Sequence, residues 1–408
     1  MAVGVTARTA FSLLFPPILD EFGWERGVTA GAFSFGFLVS AALSPFVGRL
    51  MDTRGPRVVI ELGVGLLAAG SMLATLVREP WHLYLTLGVL AGVGSNCLGY
   101  GGQALYLPNW FVRRRGLAMS IAYAGAGAGS IVLLPWLQTV IAHAGWRAAC
   151  WNLGLVVLVV LAPLNLLLRH RPEDLGLAPD GNRTSRDDSG EHRPATHVVD
   201  AAWVAIDWTL GRAVRTARFW WIGVGYFLGL FAWYAVQVHQ TKYLVEIGFS
   251  ATDAARALGL VSLVAVPGQI GLGHLSDRIG REWVWMIGNV GFALCFVLLL
   301  WLRHAPTPAL LHLMVVSQGT LGYGLVSVLG AIPAEIFQGR HYGTILGTLM
   351  LGAIAGGAAG PWVTGAIHDA TGSYTLAFWI GIGGSALSAV AIWLAAPRRV
   401  RAVAGRGR

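Results

Sequence analysis

The chain has 408 residues, 55% of them hydrophobic and only 12% charged, with 55 Gly, 17 Trp and a mean hydropathy of +0.62. A soluble globular domain of this length is excluded by that balance. The formal net charge is +9, but the arginines fall in gaps between apolar runs rather than on a water-exposed face, which argues against a nucleic-acid-binding protein.

Apolar runs of about 18 to 25 residues are long enough to cross a hydrocarbon core roughly 30 Å thick as helices, whereas barrel strands would be short and alternating. The expected fold class is therefore all-α integral membrane. Twelve transmembrane helices are expected near 2–19, 29–50, 58–77, 82–107, 117–138, 147–168, 217–240, 254–276, 283–302, 309–332, 343–367 and 375–396. Residues Met1 to Leu19 lack a basic leader and run into Pro16-Pro17 and Asp20-Glu21, so they read as the first span rather than a cleaved signal. Cys97, Cys150 and Cys295 all fall inside apolar runs and are expected to be small buried or lipid-facing residues.

Between the first spans lies Gly48 to Arg57, which sets Asp52 among Arg49, Arg54 and Arg57. Gly273, Asp277 and Gly280 repeat the spacing of Gly48, Asp52 and Gly55 at a constant offset of 225. The same offset carries Glu21 and Gly23 onto Glu246 and Gly248, Pro108 onto Pro333, and Arg115 onto Arg340. Two copies of a six-helix unit are expected, which places a substrate path on the axis between them. Loops on one side of the layout hold 22 Lys and Arg and those on the other hold 6, so both termini and the Gly48–Arg57 loop are expected in the cytoplasm. The expected organisation is a first bundle over 1–168, a cytoplasmic linker over 169–216, a second bundle over 217–397 and a basic cytoplasmic tail over 398–408. The linker is polar to about His197, and Val198 to Arg218 suits an amphipathic helix lying on lipid headgroups.

These loops, Gly-x-x-x-Asp-x-Arg-Gly-x-Arg at 48–57 and its second-half relative, resemble the signature loops of the major facilitator superfamily. Phe15-Pro-Pro-Ile-Leu-Asp-Glu-Phe-Gly-Trp24, Trp110 to Gly116, Arg171 to Gly181 and Asp207-Trp208-Thr209 are similar to segments of the bacterial monocarboxylate and oxalate/formate antiporter group. The resemblance implies the fold of that superfamily, two pseudo-symmetric bundles that transport a small molecule. Three departures stand out. Related transporters carry a basic residue in the eighth span where this chain has Gln269, and some place a proton-coupling Asp where it has Ala265. The eleventh-span Lys of oxalate transporters has no counterpart, since 343–367 contains no basic residue.

Arg8 lies about twelve residues inward from Asp20, roughly 18 Å along a helix and near mid-bilayer. A charge at that depth faces a cavity or a partner. Three readings stay open for Arg8: a substrate-anion site, a structural pair, and a side chain that snorkels to the membrane surface. Asn96, Tyr100 and Gln103 form a polar stripe at i, i+4 and i+7 in the fourth span, and Trp233, Gln237 and Gln240 repeat the spacing in the seventh. Gln269, Gln318, Tyr323 and Tyr123 suit hydrogen bonding to a ligand or between helices. His239 is either a proton site or an interfacial residue. Asp52, Arg54, Arg57, Asp277, Arg281, Glu335 and Arg340 are expected to gate, as a cytoplasmic latch, with Glu335 close to Arg340. Gly125-x-x-x-Gly129 and Gly352-x-x-x-Gly356-Gly357-x-x-Gly360 allow close helix approach.

No Walker loop, Gly-x-Ser-x-Gly, His-Glu-x-x-His or Cys-x-x-Cys occurs, so neither an enzyme nor a primary pump is expected, and no cofactor or metal is implied. The expected function is secondary active transport of a small organic anion, a monocarboxylate with an apolar or aromatic body, by alternating access in the cell membrane, with protons as a possible partner. The bilayer is the surrounding partner, nucleic acid is not one, and no oligomer is required. An exporter of an apolar metabolite or drug is the alternative that Gln269 favours. A non-transporting receptor would bind ligand without flux.

Overall fold

The computed structural model describes residues 2–24, 26–112, 114–169, 172–177, 179 and 197–402. Residues 180–196 of the expected polar linker, with positions 171 and 178 of the Arg171–Gly181 motif, Arg113 and the tail beyond residue 402 lie outside the described residues. Among those described, ten apolar helical stretches are long enough to cross a membrane. Two of them, Gly31–Leu76 and Arg115–Asn165, have 46 and 51 residues, which at about 1.5 Å per residue is twice what one crossing needs. Each is interrupted by a glycine with non-helical backbone, Gly55 (φ 81°, ψ 172°) and Gly145 (φ 80°, ψ 168°), so each makes two passes and the expected twelve helices are accounted for.

In chain order these are α1 (Ala2–Phe22), α2 and α3 (26–54 and 56–73), α4 (Pro80–Trp110), α5 and α6 (115–144 and 146–165), α7 (Ala217–Glu246), α8 (Ala251–Ile279), α9 (Arg281–Leu302), α10 (Pro308–Ile336), α11 (Tyr342–Thr371) and α12 (Thr375–Ala395). The offset of 225 is legible in the backbone. Gly55 and Gly280 both take positive φ where one span ends and the next begins, and Gly23 and Gly248 do so after α1 and α7. At Gly55 a side chain would be strained, and Pro56 then starts α3 with a preset φ. Helices α4 and α10 are also interrupted at matching places, α4 at the extended Gly99 and α10 at Tyr323 after a π-helical turn, Ser317–Gly322.

The chain divides into two compact units. The first comprises Met1–Trp110 with Ala122–Arg186, and the second Phe111–Ile121 with Asp187–Arg408. Within the first, one core gathers Leu14 and Ile18 of α1, Ala32 of α2, Leu83 of α4 and Cys150 and Leu153 of α6. A second gathers Ile60, Val64 and Leu67 of α3 with Leu98 and Tyr106 of α4. All three cysteines are free and buried.

Within the second unit, α7 and α11 pack at backbone distance. A Cβ added at Gly356 would sit 2.0 Å from the Phe227 carbonyl oxygen, and one at Gly360 2.3 Å from that of Phe231. The spacing of small residues in the eleventh span is therefore used for close approach. Gly356→Val should force these helices apart and destabilise the protein by about 1–3 kcal/mol or more, read as a lower thermal unfolding midpoint.

The segment before α7 departs from expectation. Instead of one amphipathic helix over Val198–Arg218, it forms two one-turn helices, Ala201–Val204 and Leu210–Ala213. Each has its own N-cap: Asp200 accepts from the Trp203 N–H and Thr209 from that of Arg212, and Thr216 then caps α7. Three capping side chains in 17 residues restart the helix each time rather than propagating it. The two tryptophans turn inward while Val199 and Ile206 stay exposed: Trp208 is 3% exposed, stands edge-on to Phe337, and lies beside Trp203, whose Nε1–H donates to the Ile336 carbonyl. A two-residue antiparallel pair, β1 (His197–Val198) with β2 (Arg401–Ala402), ties this segment to the chain's basic end.

Candidate functional site

Arg8 lines a cleft inside the first unit that is partly open to its surroundings. Its walls are Phe11 and Leu14 of α1, Phe33 and Gly36 of α2, Leu67 and Ser71 of α3, Leu87 and Ser95 of α4, and Cys150 and Leu153 of α6. The guanidinium lies over the Phe37 ring, its carbon 3.6 Å from the ring centroid. At that distance the ring quadrupole attracts the cation, a cation–π contact that also fixes where the guanidinium stands. Phe37 meets Phe33 edge-on (5.0 Å), and Phe33 stacks on Phe11 (5.2 Å). The lining is thus apolar and aromatic, with one fixed cation and the hydroxyls of Ser71 and Ser95. That chemistry suits an anion with an apolar body.

The other residues expected to bind in the first unit do not line this cleft. Asn96 donates to Ser44 Oγ at 3.4 Å, and Tyr100 stands edge-on to Tyr123, whose hydroxyl donates to the Tyr100 carbonyl. The expected stripe Asn96, Tyr100, Gln103 is not one helical face, because the chain is extended at Gly99 (φ −86°, ψ −156°). Gln103 accepts from the Tyr106 hydroxyl at 2.9 Å.

In the second unit four candidates do converge. Gln237 Oε1 accepts from Gln318 Nε2 and from the Tyr323 hydroxyl, both at 3.4 Å, and the Tyr323 ring meets Trp233 edge-on at 4.7 Å. Gln318 sits on the π-helical turn of α10 and is fully buried, with its Oε1 lacking a hydrogen-bond partner among the described residues. Turns of this kind recur at functional positions. Gln240 is buried with both amide atoms unpartnered among the described residues. Gln269 is buried on α8, where its main-chain carbonyl accepts from Ser327.

The expected latch residues separate. Arg54, Arg57 and Arg340 are exposed and Asp52 is half-buried. Asp277, Arg281 and Glu335, by contrast, form a buried network in the second unit. Arg281 is 1% exposed and spends its guanidinium on Glu335 (2.7 Å), Ser276 (2.6 Å) and Asp277. The two Asp277 oxygens accept the backbone N–H groups of Gly116 (2.9 Å) and Leu117 (3.0 Å), the unpaired donors at the start of α5. Glu335 therefore answers Arg281, 54 residues away, rather than Arg340 as expected. Gly116 and Gly273 permit this approach, since a Cβ at Gly116 would lie 2.4 Å from the Gly273 carbonyl oxygen. Arg115, which the offset of 225 pairs with Arg340, is 2% exposed here, and its Nε donates to the Phe111 carbonyl. Nearby, burial pulls the Arg401 guanidinium below its ordinary value, opposed by Glu335.

The sequence profile of the Major Facilitator Superfamily matches residues 1–332 and 246–407, which together span nearly the whole chain. The chain belongs to the Major Facilitator Superfamily. Among curated superfamily relatives it is 26% identical over 387 residues to monocarboxylate transporter 12 of Homo sapiens, covering 90% of this chain and 72% of that one. It is 28% identical over 380 residues to monocarboxylate transporter 13 of Rattus norvegicus, covering 90% and 80%. Among solved structures, the E. coli fucose:proton symporter superposes with a TM-score of 0.71 at 16% identity, over 97% of this chain and 96% of that one, a likeness of fold.

Membership in the Major Facilitator Superfamily makes this a multi-pass membrane transporter protein rather than an enzyme. Sequence reasoning found Arg8 but missed Phe11, Phe33 and Phe37 around it. One signal was available: Phe33 and Phe37 are four residues apart, on one helical face, in a span otherwise rich in small residues.

Proposed function

We propose that this protein is a secondary active transporter that carries a small organic anion, a monocarboxylate with an apolar or aromatic body, across the cell membrane by alternating access. The observation that carries this reading is Arg8, a cation over the Phe37 ring in a cleft lined mainly by apolar and aromatic side chains. A carboxylate would meet the N–H edge of the guanidinium, and its body the rings of Phe11 and Phe33. The resemblance to monocarboxylate transporters 12 and 13 supports the same substrate class. Trp233, Gln237, Gln318 and Tyr323, with Asn96, Tyr100, Tyr123 and Gln269, would shape the remaining path. Asp277, Arg281 and Glu335 would act as the inner latch, with Asp52, Arg54, Arg57 and Arg340 as its outlying charges. The basic asymmetry of the loops supports cytoplasmic termini.

A thermal-shift assay of the purified protein tests the substrate class. Mandelate, an aromatic monocarboxylate, should raise the unfolding midpoint, by the equivalent of about 2.7 kcal/mol at a hundredfold excess over Kd, while its neutral amide should not. A shift with the amide and none with mandelate would select the second reading, an exporter of neutral apolar compounds. That reading is favoured by the uncharged Trp233–Gln237–Gln318–Tyr323 group and by Gln269.

A further inference from the structure

Proton-coupled transport needs a group that takes up and releases a proton, and the eighth-span position where some monocarboxylate transporters place an Asp is Ala265 in this chain. A titratable cluster lies elsewhere in the second unit, where α7, α11 and the turn before α12 meet. His239 of α7 lies with Nε2 2.9 Å from the Pro361 carbonyl oxygen of α11 and Nδ1 3.4 Å from the Tyr374 hydroxyl. A carbonyl oxygen only accepts, so Nε2 carries the ring hydrogen. Nδ1 is then the lone pair, and the Tyr374 O–H donates to it.

Tyr374 is itself enclosed. It is 3% exposed, with the His368 ring stacked on it at 4.2 Å and the Tyr243 ring edge-on at 5.6 Å. Burial first, then the negative charges of Glu246 and Asp369, push its phenol up, so it stays a neutral hydroxyl able to receive a proton on one side and pass one on. Outside it stands an acidic mouth. His368 lies 3.5 Å from Glu246 and 3.7 Å from Asp369, and both carboxylates reach solvent. Of the cations nearby, Lys242 lies 3.9 Å from Glu246 at the mouth itself, 70% exposed, and Arg303 donates to Thr375.

We propose that His239 is a proton-binding site, filled through Tyr374 from the Glu246–His368–Asp369 mouth, that couples protons to the carboxylate transport proposed above. The step balances. The Tyr374 hydroxyl proton passes to His239 Nδ1, the phenol oxygen takes a replacement from the mouth, and the net change is one proton from water to an imidazolium. Imidazole suits the task because its ordinary titration falls between about pH 5 and 8. The gain of a donor at Nδ1 reverses the His239–Tyr374 bond, so the tie between α7 and the turn before α12 depends on protonation, while the Nε2 bond to α11 does not.

His239→Gln keeps a side-chain N–H for the Pro361 carbonyl and removes the proton site. In a difference titration of the purified full-length protein between about pH 5 and 8, wild type should bind one proton more than the variant. In proteoliposomes, with mandelate as probe and protein-free liposomes subtracted, an inward pH gradient of one unit should support about tenfold accumulation by wild type, one proton travelling per carboxylate. The variant should accumulate none yet retain mandelate counterflow, and Tyr374→Phe should slow gradient-driven uptake alone. Equal proton counts, or undiminished gradient-driven accumulation by His239→Gln, would overturn the assignment. Should wild type carry no mandelate at all, the carboxylate reading falls, and the proton count decides His239 by itself.

Discussion

Replacing Arg281 with methionine should lower the stability of the protein by about 3–5 kcal/mol, the cost typical of removing one partner from a buried ion network. The reason lies in what the arginine leaves behind. Glu335 and Asp277 are 3% and 7% exposed, and each answers the same guanidinium. Without it two carboxylates share a dry site, and like charges there resist joint ionisation. Asp277 retains the N–H groups of Gly116 and Leu117, so it stays anchored, whereas Glu335 loses the ion-pair partner described for it. Adding Glu335→Gln to Arg281→Met should therefore recover much of the loss. A thermal melt of the purified single and double variants reads both. If the double variant is no more stable than Arg281→Met alone, the pair is not the unit that matters. The same network gives the proposed latch its mechanical sense, because Asp277 holds the first turn of α5 through the end of the helix that carries positive partial charge.

Much of this fold is legible in the sequence because membrane helices must satisfy every backbone group internally, and run length alone then marks them. The duplication is legible for a related reason. Gly55 and Gly280, like Gly23 and Gly248, stand where the backbone needs positive φ, and that need survives in both copies while side chains diverge. Periodicity assigns a residue to a face of its own helix, but not to the neighbour that covers that face. Glu335 was matched to Arg340, five residues on, whereas its partner is Arg281 across the bundle. Asn96 and Tyr100 were placed on one stripe because nothing in the spacing announces that Gly99 is extended. Arg8 was found because a charge in an apolar run is conspicuous. The ring beneath it is harder to read, since spacing puts Phe33 and Phe37 on one face of α2 but does not say that this face meets Arg8.

Arg8 carries the second large expectation. Its guanidinium is a planar fork standing over Phe37, and a carboxylate bound in the cleft would rely on that cation for nearly all of its charge compensation. Truncating one partner of a buried, hydrogen-bonded charge pair costs about 2–5 kcal/mol, which is roughly 30-fold to several thousandfold in kcat/KM. Lysine would keep the charge but lose the fork and much of the stacking, so Arg8→Lys should fall between wild type and Arg8→Ala. A side chain that merely snorkels to the surface would tolerate lysine fully and alanine nearly so.

Mandelate counterflow in proteoliposomes, compared for wild type, Arg8→Lys and Arg8→Ala at matched protein density, is the measurement that bears most directly on the proposed function. Graded loss is expected, with Arg8→Ala reduced about 30-fold or more and Arg8→Lys intermediate. Robust wild-type counterflow that Arg8→Ala leaves unchanged would contradict the assignment of Arg8 as the carboxylate site.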